Sequence, residues 1–221
     1  MASSEVSELL WADRLRQLLV PVLQHRLERN GIEATGAYNY YKVRLDRGEL
    51  LQEYELAIAR ELIRRKGSVN EVVEVGSGFG QLVFLLAWNG FGATGIEFNR
   101  DRARMAEDLR AIVSIADSGL SGRISLFEGK FPLANLPPPG PQSLIVTTNL
   151  VATHTLAEQK AFVSAMRAYT YALVDIQRLF ESRATEEEQQ PALDLFVEAG
   201  YGPPELFLSL GAAGKYYLFK S

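Results

Sequence analysis

Residues 4 to 29 carry Val6, Leu9, Leu10, Leu15, Leu18, Leu19, Val22, Leu23 and Leu27 at helical intervals, a spacing that gathers apolar side chains on one face of an α-helix. Ser3 or Ser4 supplies its cap, Gly31 its stop, and Pro21 predicts a bend within it. After "ATGAYNYYKVRLDRG" (34–48) the pattern predicts a second helix from Glu49 to Lys66. Its apolar face reads Leu50, Leu51, Tyr54, Ala57, Ile58, Glu61 and Leu62, and Gly67 closes it. Two helices are therefore expected before the first strand.

From Glu71 onward the rhythm changes. Short apolar runs, "EVVEV" (71–75), "ATGIEF" (93–98), "RISLFEG" (123–129), "SLIVTTN" (143–149) and "YALVDIQ" (171–177), alternate with helical stretches near 79–89, 100–116 and 156–168. That alternation predicts βαβ units and a mostly parallel sheet. "LPPPGP" (136–141) is a loop that delimits the fourth strand. "PALDLFVEAGY" (191–201) reads as a helix, with "TEEEQQ" (185–190) as its solvated, acidic start. "ELFLSL" (205–210), "GAAG" and "KYYLFK" (215–220) read as a hairpin.

At 221 residues the chain suits one domain with an extension. We set the boundary at 67: residues 1–67 as an N-terminal helical extension or lid, and 68–221 as the main domain. A formal charge of −4 argues against a broad nucleic-acid surface and favours small substrates over polymers. With no cysteine, disulfides, thiolate metal sites and thiol nucleophiles are excluded. No apolar run reaches a membrane span, and "MASSEVSELLWADR" lacks the basic-then-apolar layout of a secretory signal. A cytoplasmic protein is the expectation.

The chemistry concentrates where the first strand runs into Gly76-Ser77-Gly78-Phe79-Gly80. A strand–glycine turn–helix junction presents free backbone N–H groups and allows very close approach at the carboxyl edge of a sheet, which suits a nucleotide-like cofactor. The dinucleotide fingerprint G-x-G-x-x-G requires its third glycine at 81, where Gln81 stands instead. The spacing is G-x-G-x-G, and Glu74 enters the turn from the strand. A pyrophosphate disfavours that carboxylate, whereas a cationic amino-acid portion suits it. Glu97, 17 residues after Gly80, is placed to accept hydrogen bonds from two ribose hydroxyls in either class of nucleotide.

In these residues the chain resembles the class I S-adenosylmethionine-dependent methyltransferases, whose first motif is similar to "VVEVGSGFGQL" and whose second acidic position is similar to "GIEFN". The resemblance covers about residues 70 to 220. It implies a Rossmann-like three-layer α/β sandwich with a seven-stranded, mostly parallel sheet and an antiparallel last strand. It further implies that Gly76, Gly78 and Gly80, with Ser77 and Gln81 beside them, wrap the methionine part of S-adenosylmethionine. Glu74 would assist near the ammonium, Glu97 would hold the ribose, and Phe98 would lie against the adenine. In "FEGKFP" (127–132) Lys130 stands where the family often has an aspartate, leaving Glu128 or the backbone around Gly129 to cap the adenine amino group. The fourth strand ends in "VTTNLVATH", which puts Asn149 near the cofactor edge and His154 among substrate-facing positions. No acidic residue stands at 149, against a magnesium-dependent catechol-type enzyme, and no metal site is expected.

His154 reads either as a cap of the "TLAEQKAF" helix or as a general base with a pKa suited to accepting a proton. "YNYYK" (38–42) reads either as packing between the N-terminal helices or as a lid in which Tyr38, Tyr40, Tyr41 and Lys42 close over cofactor and substrate. Asp175 either lines the substrate pocket or bonds to neighbouring backbone, and His25 reads as an ordinary helix residue. The function expected is methyl transfer from S-adenosylmethionine to oxygen, nitrogen or carbon of a small-molecule acceptor. The alternatives are an NAD-dependent oxidoreductase and a cofactor-binding inactive partner subunit. The first helix covers the core of its own chain or pairs in a homodimer; either satisfies its pattern.

Overall fold

Val72 and Val75 of "EVVEV" are both buried and point to opposite faces of the pleat, so this strand must be covered on both sides. In a computed structural model that describes residues 2–29, 36–148, 150, 155–180, 185–211 and 214–221, a three-layer α/β sandwich supplies that cover. Its elements in chain order are α1 (Ala2–Arg29), α2 (Gly36–Asp46), α3 (Glu53–Arg64), β1 (Glu71–Val75), α4 (Gln81–Trp88), β2 (Gly92–Glu97), α5 (Arg100–Ala116), a short 3₁₀ helix (Ser118–Arg123), β3 (Ile124–Glu128), β4 (Ser143–Thr147), α6 (Leu156–Met166), β5 (Tyr171–Asp175), α7 (Glu186–Glu198), β6 (Glu205–Ser209) and β7 (Lys215–Lys220).

The seven strands lie in the order β3-β2-β1-β4-β5-β7-β6. Strands β1 to β5 are parallel, and β7 inserts antiparallel between β5 and β6. This is the predicted Rossmann-like architecture. Because β1 is flanked by β2 on one side and β4 on the other, the chain leaves it in opposite directions, and a crevice opens at its carboxyl end.

Alternation along the strands builds two cores. Val72, Ala93, Leu144, Val146, Leu173, Tyr216 and Leu218 face α1, α3, α4 and α5, while Val75, Ile96, Ile145, Ala172, Val174 and Phe219 face α6 and α7. On the first face α1 runs through Pro21 as one helix and contributes Leu15, Leu19, Val20 and Leu23 to the same cluster as α3 and α4. These residues pack α1 against α4 and α5 of the same chain. No described helix is long and apolar enough to cross a membrane.

The N-terminal layer departs from the sequence expectation in two respects. Three helices, not two, precede β1: the stretch read as a connection forms α2, whose inward positions include Arg44 as well as Leu45. The second predicted helix starts at Glu53 rather than Glu49. A turn around Gly48, at φ +70°, buries Leu50 outside any helix, and Arg44 Nη2 donates to the Leu50 carbonyl at 2.9 Å. The inward face of α3 is Tyr54, Glu55, Ile58, Ala59 and Leu62. Glu61, assigned to that face by periodicity, instead pairs with Arg64 and Arg65 at 3.0 Å each.

Leu19 of α1 is fully buried in the core that α1 shares with α3 and α4. Leu19→Ala should lower the unfolding free energy by about 2–5 kcal/mol in urea titration, through one transition shared with the rest of the domain. An unchanged midpoint would contradict the placement of α1 in the core.

Candidate functional site at the carboxyl edge

Each glycine of the G-x-G-x-G turn has a positive φ: +79° at Gly76, +58° at Gly78 and +79° at Gly80, a region that side chains with a Cβ avoid. The turn is tied to β2, since the Gly76 and Ser77 amides both donate to the Ile96 carbonyl, at 2.8 and 3.1 Å. Gly80 caps α4 in a left-handed conformation without any side-chain acceptor, so the positive end of α4 is left to the turn. Ser77 and Gln81 are both buried beside it.

Glu97 closes the turn from the side. Its Oε2 accepts from the Gly78 amide at 2.8 Å and its Oε1 from the Asn99 amide at 2.7 Å. One carboxylate thereby fixes the glycine turn against the start of α5, whose own cap is Asn99. Gly95, on the same side of β2, must lack a side chain because a Cβ there would lie 2.7 Å from Ser77 Oγ. A cavity of about 430 Å³ opens beside this point between α5 and the β2–β3 pair, walled by Ser77, Gly95, Glu97, Arg104, Leu126 and Glu128.

Glu74 lies on the α3–α4 side of β1 and is buried. Oε1 accepts from Thr148 Oγ1 at 2.7 Å; Oε2 has no hydrogen-bond partner among the described residues. Burial, reinforced by Glu55 and Glu97 and opposed by Thr148, pushes its carboxyl up to about 8. The neighbouring Glu55 is buried too. It accepts from the Gln52 amide at 2.6 Å and lies 4.0 Å from Arg44, and burial still raises it to about 7.

Over the turn lies α2. A Cβ on Gly78 would approach the Tyr41 hydroxyl to 2.9 Å, and the Tyr41 ring packs on Phe79 with centroids 4.4 Å apart. Arg44 and Arg102 flank that ring at 5.7 and 6.0 Å, and burial raises the phenol to about 12. Of the two lid positions whose side chains are described, Tyr41 is the one placed on the glycine turn. Lys42 is exposed and lines a small recess against α1 with Gln24, Glu28, Leu45 and Asp46. Tyr38 and Tyr40 belong to α2, but their side chains lie outside the described residues, as do Asn149 and His154.

The remaining predicted positions border the same edge. Phe98 is 72 % exposed. Glu128, level with Glu97 across the β2–β3 pair, pairs with Arg100 at 3.8 Å, and the Gly129 amide donates to the Glu97 carbonyl at 2.9 Å. Lys130 pairs with Glu158 of α6 at 3.7 Å on the surface. Glu55, Arg44 and Thr148 were missed by sequence reasoning. Thr148 is two residues beyond the β1–β4 register partner of Glu74, a relation visible only once β4 is known to neighbour β1.

No protein-family model matches the chain, and no curated protein sequence matches it. Solved structures do. The methyltransferase domain of bacterial CtHen1-C is 15 % identical and superposes with a TM-score of 0.58 over 76 % of this chain and 96 % of that one. The S-adenosylmethionine-dependent methyltransferase SibL is 12 % identical, with a TM-score of 0.55 over 86 % of this chain and 60 % of its own. A Nostoc punctiforme protein assigned as an O-methyltransferase is 13 % identical, with a TM-score of 0.55 over 75 % of this chain; the match spans little more than half of its length, 56 %. The chain thus has the fold of the class I S-adenosylmethionine-dependent methyltransferases.

With its carboxyl held near 8, Glu74 keeps a proton in the native state that the unfolded chain releases near 4.5. The unfolded state then binds fewer protons, so stability falls as pH rises between these values, by roughly 1.4 kcal/mol per pH unit at full effect. Glu74→Gln removes this titration. Denaturant unfolding from pH 5 to 8 should find the variant gaining on the wild type as pH rises; a constant difference would contradict the buried, proton-holding carboxyl.

Proposed function

We propose that the protein transfers a methyl group from S-adenosylmethionine to a small-molecule acceptor, at oxygen, nitrogen or carbon. One observation carries the reading: Glu97, at the carboxyl end of β2, turns its carboxylate onto the Gly78 amide. A ribose acceptor and a glycine cradle for an amino-acid portion therefore adjoin.

The residues present fit such a cofactor. Gly76, Gly78 and Gly80 keep the cradle free of Cβ atoms, with Ser77 and Gln81 at its sides. Glu74 offers a buried oxygen with no protein partner among the described residues, chemistry that suits an ammonium. Glu97 would hold the ribose, Phe98 would cover the adenine, and Glu128, Gly129, Lys130 and Asn149 would border it. When bound there, S-adenosylmethionine supplies a methyl group activated on a sulfonium.

The chain's own part is positioning and exclusion of water. Tyr41 rests on the glycine turn, and Tyr38, Tyr40 and Lys42 complete the proposed lid. His154 is the proposed proton acceptor on the acceptor side. Without cysteine the chain is indifferent to the redox state of its compartment; we place the activity in the cytoplasm. A nicotinamide cofactor fits less well, because Gln81 stands where the dinucleotide turn requires its third glycine.

Calorimetric titration should find S-adenosylmethionine and S-adenosylhomocysteine bound and NAD not bound. Glu97→Ala should weaken both adenosyl ligands by about tenfold or more, the worth of charge-assisted hydrogen bonds. Binding of NAD in their place, or of none of the three, would contradict the reading.

A further inference from the structure

The fourth strand runs out through two threonines, Thr147 and Thr148. Successive side chains of an extended chain alternate between the faces of a sheet, so Thr147 falls level with Val75 and Thr148 on the side of Val146, the register partner of Glu74. Thr148 is 5 % exposed and Glu74 3 %, and the Thr148 hydroxyl donates to Glu74 Oε1 at 2.7 Å. Two residues further on, the chain passes over the glycine turn: a Cβ on Gly76 would lie 3.1 Å from Leu150 Cδ1. The exit of β4 is thus packed against the cradle, and Thr148 is its contact with the buried carboxyl.

A glutamate carboxyl turns readily about its last torsion, whose preferences are broad and two-fold. Without a partner, Glu74 has no means of keeping one oxygen in one place. The Thr148 bond engages Oε1, and Oε2 is the oxygen left over, with no hydrogen-bond partner among the described residues. Because the hydroxyl donates, the bond also favours the ionised carboxyl, the form that an ammonium requires. It does so against burial and against Glu55 and Glu97, all of which oppose ionisation.

We propose that Thr148 is a positioning residue of the cofactor site: by holding Glu74 Oε1, its hydroxyl keeps Oε2 for the ammonium of the amino-acid portion. The proposal rests on the methyl-transfer reading. Thr148 acts through Glu74 rather than by contact with the ligand. The titratable groups that act on Glu74 or feel its charge are Glu55 and Tyr54 of α3, Glu97 of β2 and Tyr216 of β7. A substitution at 148 leaves all four in place.

The test titrates the full chain, as wild type, Thr148→Val and Thr148→Ser, with S-adenosylhomocysteine and with 5′-methylthioadenosine, which lacks the amino-acid portion. Measurements run from about pH 7 to about pH 9. At neutral pH, Thr148→Val should bind S-adenosylhomocysteine about tenfold or more weakly, the worth of a hydrogen bond to a charged group, with 5′-methylthioadenosine unaffected. Removing the donor raises the Glu74 carboxyl beyond its native value of about 8. The deficit should therefore narrow as pH rises past that value and the variant's carboxyl ionises too. The ligand's own titration is common to the three proteins and cancels in the comparison. Thr148→Ser, which keeps the hydroxyl, should match the wild type. An undiminished affinity in Thr148→Val, a deficit constant with pH, an equal loss of both ligands, or a serine variant as weak as the valine one would overturn the proposal. Failure of S-adenosylhomocysteine to bind the wild type would refute the methyl-transfer reading itself. Any of those four outcomes alongside normal wild-type binding would refute the positioning role alone.

Discussion

Glu97, through its carboxylate and its carbonyl, joins three pieces of backbone. One oxygen holds the Gly78 amide and the other the Asn99 amide, while the carbonyl of the same residue receives the Gly129 amide. The glycine turn after β1, the exit of β2 and the exit of β3 are thereby fixed around a single residue. Charge-assisted hydrogen bonds of this kind are roughly twice as strong as neutral ones, and Glu97 is buried enough that water competes weakly. The turn itself can exist only because its three glycines accept positive φ values. Backbone freedom and a fixed anion together make the carboxyl edge a preformed cradle.

Around that cradle the protein accumulates buried acidic groups that a purely structural edge would avoid. Glu55 and Glu74 are both raised by burial, toward 7 and 8; Glu55 further opposes the ionisation of Glu74, and partial relief comes from the Gln52 amide and Arg44 at Glu55 and from Thr148 at Glu74. Clusters of this kind cost stability and are found at sites that meet charged partners. The N-terminal helices enclose them: α3 brings Tyr54 and Glu55, and α2 brings Tyr41 down onto Phe79 and Gly78. Because α1 shares its core with α3 and α4, this cover is anchored in the domain rather than appended to it.

What could be read in the sequence follows from how local each signal is. The limits of β1 and α5 match the predicted 71–75 and 100–116, because a strand that is buried on both faces and a helix capped by Asn99 announce themselves within a few residues. The glycine spacing and the acidic residue at the next strand end are equally local, so the predicted cradle residues do meet at one edge. By contrast α2 was hidden, since its inward face mixes Tyr41, Leu45 and the polar Arg44, whose side chain bonds the Leu50 carbonyl. Glu55 is absent from the apolar face that periodicity draws for this helix. Its burial depends on the α3 face that meets the sheet, a tertiary fact that periodicity assigned to Glu61 instead. That Asp175 of β5 stands level with Tyr216 of β7 follows only once β7 is known to insert next to β5.

The central claim is that Glu97 and the glycine turn form one cofactor cradle. A crystal structure of the chain with S-adenosylhomocysteine tests it most directly. The account predicts both ribose hydroxyls on the Glu97 carboxylate, the amino-acid portion along Gly76 to Gly80, and the ammonium within reach of Glu74. Ligand density elsewhere, or a ribose held by other residues while Glu97 keeps its contacts to Gly78 and Asn99 and offers it no hydrogen bond, would contradict the account.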